Sequence, residues 1–85
     1  MKVRTIDLPI EAVFPINLPV GSRLLRVDTH GGAPVLYALC SDDKKVTGFD
    51  LRIVVNGEEA DLAEDATYLG TAHLRADLSV HVFAQ

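Results

Sequence analysis

Arg23-Leu24-Leu25-Arg26-Val27-Asp28-Thr29-His30-Gly31-Gly32-Ala33-Pro34-Val35-Leu36-Tyr37-Ala38-Leu39-Cys40 is the stretch whose reading decides the fold. It holds two β-rich runs, Arg23 to Thr29 and Pro34 to Cys40, separated by His30-Gly31-Gly32-Ala33. A two-residue Gly31-Gly32 loop suits a type I′ hairpin turn, because glycine accepts positive φ at both central positions. In that register Val27 faces Leu36 and Leu25 faces Ala38. One face then collects Leu25, Val27, Leu36, Ala38 and Cys40; the other holds Leu24, Arg26, Asp28, Val35, Tyr37 and Leu39. The run from Val35 to Cys40 is apolar on both faces, which predicts a central strand covered on each side.

Working outward, Phe49, Leu51, Ile53 and Val55 alternate with polar or smaller residues along a strand with one buried face. Asn56-Gly57 ends it in a typical turn pair. Thr67 to Leu74 and Leu78 to Ala84 form a second hairpin, and its loop length follows from burial. A three-residue loop, Arg75-Ala76-Asp77, pairs Leu74 with Leu78, Ala72 with Val80 and Gly70 with Val82. That register gathers Tyr68, Gly70, Ala72, Leu74, Leu78, Val80, Val82 and Ala84 on one inner face. Upstream, Pro9, Pro15 and Pro19 bar a helix interior, so this region is extended or turning. Lys2 to Leu8 reads as a first strand, Val13 to Leu18 as a short one confined to a sheet edge by Pro15, and Leu18 to Gly21 as a turn. Ser41 to Lys45 is a further polar turn.

Every readable element is a strand, and helical periodicity is missing. The expected fold is a mainly β, single domain over residues 1–85. It is a small antiparallel sheet of six or seven strands, a partial barrel or sandwich with at most one short helical turn. With 85 residues and a mean hydropathy of +0.20, there is room for one core and little scope for disorder. Cys40 is the only cysteine, so no internal disulfide is available, and a thiol closing an apolar strand reads as buried filler. The segment after Met1 is interrupted by Asp7, Pro9 and Glu11, unlike a secretory signal, and no apolar run reaches membrane-span length. The cytoplasm is the expected compartment.

Twelve acidic against eight basic residues give a net charge of −4. That argues against a sequence-independent grip on nucleic acid, which relies on Lys and Arg neutralising phosphates. Five acids, Glu58, Glu59, Asp61, Glu64 and Asp65, fall in one run without a base. Leu62 is its only large apolar residue, so a solvated loop or a single helical turn is expected. Such a run suits docking on a basic protein groove, where opposite fields speed association. Calcium-loop spacing is missing from it.

His73 and His81 are diagonal neighbours on the outward face of the last hairpin, beside Thr71 and Ser79. Two imidazoles make a weak metal candidate, since no third ligand is identifiable from spacing; a polar, solvent-facing strand is the ordinary explanation. Leu69 and Phe83 share that face and suggest a partner surface unless another segment covers them. Catalytic signatures are missing: no Gly-x-Ser-x-Gly, no phosphate-binding glycine loop, no His-Glu-x-x-His. No enzyme activity and no cofactor are expected.

The segments Leu18 to Val27, Gly32 to Leu39, Tyr68 to Ala72 and His81-Val82-Phe83 resemble, in order along nearly the whole chain, a family of small phage and prophage proteins, a domain of unknown function. The chain departs from that family where Asn56-Gly57-Glu58-Glu59 replaces a turn containing glycine and histidine, and where Tyr37 and Val80 stand at tryptophan positions. The resemblance implies a mobile-element origin. Small acidic proteins of that kind often bind a host protein, including as inhibitors of CRISPR or restriction machinery. The expected function is therefore a non-enzymatic, anti-CRISPR-like inhibitor of a host defence complex that docks through Glu58 to Asp65, in the host cytoplasm. Its partner would be a host protein such as a nucleic-acid-binding complex, with no direct nucleic-acid or membrane contact. The alternatives are a phage structural or accessory homo-oligomer acting through Leu69 and Phe83, and a module that binds a small ligand.

Overall fold

A computed structural model describes residues 1–85. Seven strands follow one another: β1 (Lys2–Asp7), β2 (Val13–Pro19), β3 (Arg23–His30), β4 (Ala33–Cys40), β5 (Val46–Val55), β6 (Thr67–Arg75) and β7 (Leu78–Ala84). They form two antiparallel sheets, β1-β4-β3 and β2-β5-β7-β6, which are stacked like a sandwich and do not close into a barrel. No helix is present, so none is long and apolar enough to cross a membrane.

Alternation along the strands explains the core. Val27 and Leu36 project from the three-stranded sheet onto Leu51, Ile53, Ala72, Val80 and Val82 of the four-stranded one, with Leu8 closing the layer. Leu18, Ala38 and Cys40 make a smaller cluster beside it. The thiol is buried, as its apolar strand implies. As expected from Pro15, β2 lies on a sheet edge. Gly31 and Gly32 form the two-residue turn, with φ of 60° and 78°. β4 is the centre of its sheet; Leu36, Ala38 and Cys40 are buried on its inner face, while on the second face Val35 is buried and Tyr37 and Leu39 are half-buried.

Three β-bulges correct the expected side-chain assignments. Between Leu24 and Arg26 the register shifts, so Leu24, and not Leu25, pairs with Ala38. Leu24 packs on the core and Leu25 is 43% exposed. A second shift between Tyr68 and Gly70 sends Leu69 inward and leaves Tyr68 outside. A third, between His73 and Arg75, makes Leu74 the extra residue. The β6–β7 turn is therefore Ala76-Asp77, two residues and not three; the bulge at Leu74 restores the expected pairs Ala72–Val80 and Gly70–Val82. In the first two cases an adjacent apolar residue takes the inward place, in the third Leu74 stays on the core side, and each extra residue twists its strand.

The bulged strands β3 and β6 are sheet edges that meet at a corner. There the Thr29 hydroxyl donates to the His73 carbonyl at 3.3 Å. Gly70 lies against Val27 so closely that a Cβ would sit 2.9 Å from the Val27 carbonyl oxygen. Near the start of β5, Ser41 ties two turns together. Its N–H donates to Ser22 Oγ at 3.1 Å, and its hydroxyl donates to the Val20 carbonyl. Ser41→Ala removes that hydroxyl bond and the 3.3 Å bond the same oxygen accepts from the Asp43 N–H, and should lower the unfolding free energy by about 1–2 kcal/mol in urea titrations, with the slope unchanged.

Candidate functional site

β5 and β6 both run antiparallel to β7, which lies between them, so they are parallel to each other. Their connection, residues 56–66, must return along the length of the sheet. It does so without a helix, and it contains the whole acidic run. Proximal to β5, the Asn56 N–H donates to the Ser79 carbonyl at 2.9 Å, and Gly57 adopts φ 90° to turn the chain. Farther along, the Ala63 N–H donates to Gln85 Oε1 at 2.8 Å, and a turn from Ala63 to Ala66 leads into β6. Few backbone bonds and many polar side chains leave this segment wrapped around the sheet surface.

Glu58, Glu59, Asp61, Glu64 and Asp65 are all exposed. None of them takes part in an ion pair; the three in the structure are Met1–Asp42, Arg26–Asp28 and Arg75–Asp77. Charge is thereby segregated between the layers. On β1, β3 and β4, Lys2, Arg4, Arg23 and Arg26 oppose Asp7 and Asp28, a net +2. On the four-stranded sheet and its connections, Arg52 and Arg75 oppose Asp50, Asp77 and the five acids, a net −5. The −4 of the whole chain is thus concentrated on one side.

Beneath the acidic connection lies a cavity of about 200 Å³, bounded by Arg52 and Val54 of β5 and by Glu58, Glu59, Asp61 and Leu62. Leu62 is half-buried there, the one apolar anchor of the segment. Arg52 Nε is buried without a hydrogen-bond partner. No sequence signal marks this cavity, because it depends on the path of the connection over β5.

The histidines are arranged by the β6–β7 pairing, with His81 opposite Thr71 and His73 opposite Ser79. His81 Nε2 donates to Asn56 Oδ1 at 3.1 Å. In the tautomer that carries its proton on Nε2, Nδ1 accepts from the Thr71 hydroxyl at 2.8 Å, and Thr71 Oγ1 in turn accepts from the Tyr68 hydroxyl. His73 Nδ1 shares a 2.8 Å bond with Ser79 Oγ. Both nitrogens of His81 are thus engaged: Nδ1 with Thr71 of the neighbouring strand, and Nε2 with Asn56 at the start of the acidic connection. Nowhere do three or more His, Cys, Asp or Glu side chains converge as metal ligands would.

The expected Leu69–Phe83 surface is corrected by the bulge: Leu69 packs into the core, and Tyr68 takes its place beside Phe83, ring centroids 5.5 Å apart. Two adjacent apolar residues, Tyr68 and Leu69, left the sequence unable to specify which one faces out.

A family model described as a domain of unknown function, DUF7352, matches residues 1–85. The chain belongs to the DUF7352 family. No curated protein and no solved structure matches it. Within this DUF7352 domain, the acidic connection with the cavity beneath it is the feature that combines charge, exposure and concavity.

Proposed function

We propose that this DUF7352 domain is a non-catalytic protein-binding module that docks on a basic surface through its acidic connection. One observation carries the reading: Glu58, Glu59, Asp61, Glu64 and Asp65 are exposed together on a single segment, and no cation of the chain neutralises them. Clustered, unpaired carboxylates raise the local negative potential and steer a basic partner into register. Their polar, weakly bonded backbone lets the segment adjust to the partner without disturbing the core.

The partner that fits this chemistry is a protein groove lined with Lys and Arg that ordinarily holds nucleic acid. Combined with the resemblance to phage and prophage proteins, this favours an inhibitor that occupies the nucleic-acid groove of a host defence complex. The test is competitive capture. The immobilised domain should retain a nucleic-acid-binding host complex, release it when nucleic acid is added, and lose it steeply as salt rises. Retention indifferent to both salt and nucleic acid contradicts the proposal.

A further inference from the structure

We propose that the cavity between the acidic connection and β5 binds a small zwitterion of the α-amino-acid class, independently of any protein docking. Its walls carry both signs of charge. Arg52 and Val54 of β5 line it together with Glu58, Glu59, Asp61 and Leu62 of the connection. These groups do not neutralise one another: Arg52 forms no ion pair with the carboxylates that share its cavity. Its Nε is removed from solvent and has no acceptor. That one buried N–H without a partner is costly, and the planar guanidinium it belongs to, part of the cavity wall, is suited to a carboxylate held through parallel hydrogen bonds.

A simple anion at Arg52 would meet three carboxylates, and a simple cation among the carboxylates would meet Arg52. A zwitterion answers both. Its carboxylate accepts from Arg52, and its ammonium, with three donors and no acceptor, is held by Glu58, Glu59 and Asp61. Val54 and Leu62 offer an apolar wall to an aliphatic side chain, and about 200 Å³ admits one such molecule and little else. Binding by a concave, mostly apolar site with a few convergent polar groups is the usual design of small-molecule sites.

The experiment is calorimetric titration of the intact domain with glycine, alanine and leucine, followed by N-acetyl-leucine and leucine methyl ester. At least one free amino acid should bind saturably. The acetylated analogue, which lacks the ammonium, and the ester, which lacks the carboxylate, should each bind at least 10-fold more weakly than leucine. Arg52→Gln should remove amino-acid binding while the urea transition confirms a folded domain. If that variant unfolds, Glu59→Gln with Asp61→Asn supplies the same loss from the carboxylates of the connection. E64K/D65K alters charges outside the cavity and should leave amino-acid binding intact while weakening protein capture, so the two proposals fail separately. Silence from all three amino acids, or capped analogues that bind as tightly as leucine, overturns the zwitterion site.

Discussion

Gly70→Ala should destabilise the domain by about 2–4 kcal/mol, the largest loss expected from adding a single methyl group to this chain. Two independent costs coincide at Gly70. Its φ of +149° lies where side-chain-bearing residues are rarely found. The added Cβ would also lie 2.9 Å from the carbonyl oxygen and 3.2 Å from the amide nitrogen of Val27. Those are backbone atoms of the facing edge strand, so no rotamer change relieves the contact, and the β3–β6 corner must open. Opening it loosens Val27 and Ala72, both buried in the main core. For a domain of this size the loss corresponds to a fall in Tm of roughly 10–25 °C. Gly31 is the control. It also has positive φ, at +60°, but nothing lies within 4 Å of its added Cβ. Gly31→Asn should be nearly neutral, because asparagine tolerates the left-handed region. Equal transitions for wild type and Gly70→Ala would show that the sheets do not depend on this contact.

The same corner marks where sequence reading stops. Gly31-Gly32, Asn56-Gly57 and the three early prolines are local signals, and each matches the backbone found there because turn chemistry acts over two to four residues. Strand alternation is equally local, and Leu36, Leu51, Ile53, Val80 and Val82 are buried as their spacing implies. The bulges are different. At Leu24-Leu25 and at Tyr68-Leu69 two neighbouring apolar residues satisfy the inner face equally well, so a one-residue shift changes no pattern that alternation can detect. The choice is made by packing across the sandwich, where β3 must approach β6. Sheet membership is also non-local: β5 pairs with β7 and not with β6, its successor in sequence. The return path of residues 56–66, and so the cavity beside Arg52, follows from that pairing alone. The acidic run was legible as charge; the concave surface beneath it was not.

The second large effect concerns binding. E58K/E64K/D65K reverses three exposed side chains that form no ion pair. Its cost to stability should stay within about 0.5 kcal/mol, as for most surface substitutions. Its cost to association should be far larger. Electrostatic steering separates association rates near 10⁸–10⁹ M⁻¹s⁻¹ from unsteered values of about 10⁵–10⁶ at low salt. Removing the acidic field and substituting a basic one should therefore lower the rate by on the order of 100-fold or more. The dissociation rate should rise less, because carboxylates at an exposed rim contribute chiefly to encounter. Because Glu58 also lines the cavity, E64K/D65K, which leaves every cavity-lining residue unchanged, should show a smaller loss in the same direction and assigns that part to the outer face.

The central claim, that the acidic connection is a docking element and not merely a solvated link, is tested most directly by one paired capture experiment. Wild-type and E58K/E64K/D65K domains are immobilised at equal density and challenged with the same host extract, with and without added nucleic acid, after matching urea transitions establish that both are folded. The wild type should retain a nucleic-acid-binding protein that added nucleic acid displaces and that is missing from the reversed variant. Retention of that same protein by the reversed variant at undiminished strength, or no such protein on the wild type, would contradict that claim.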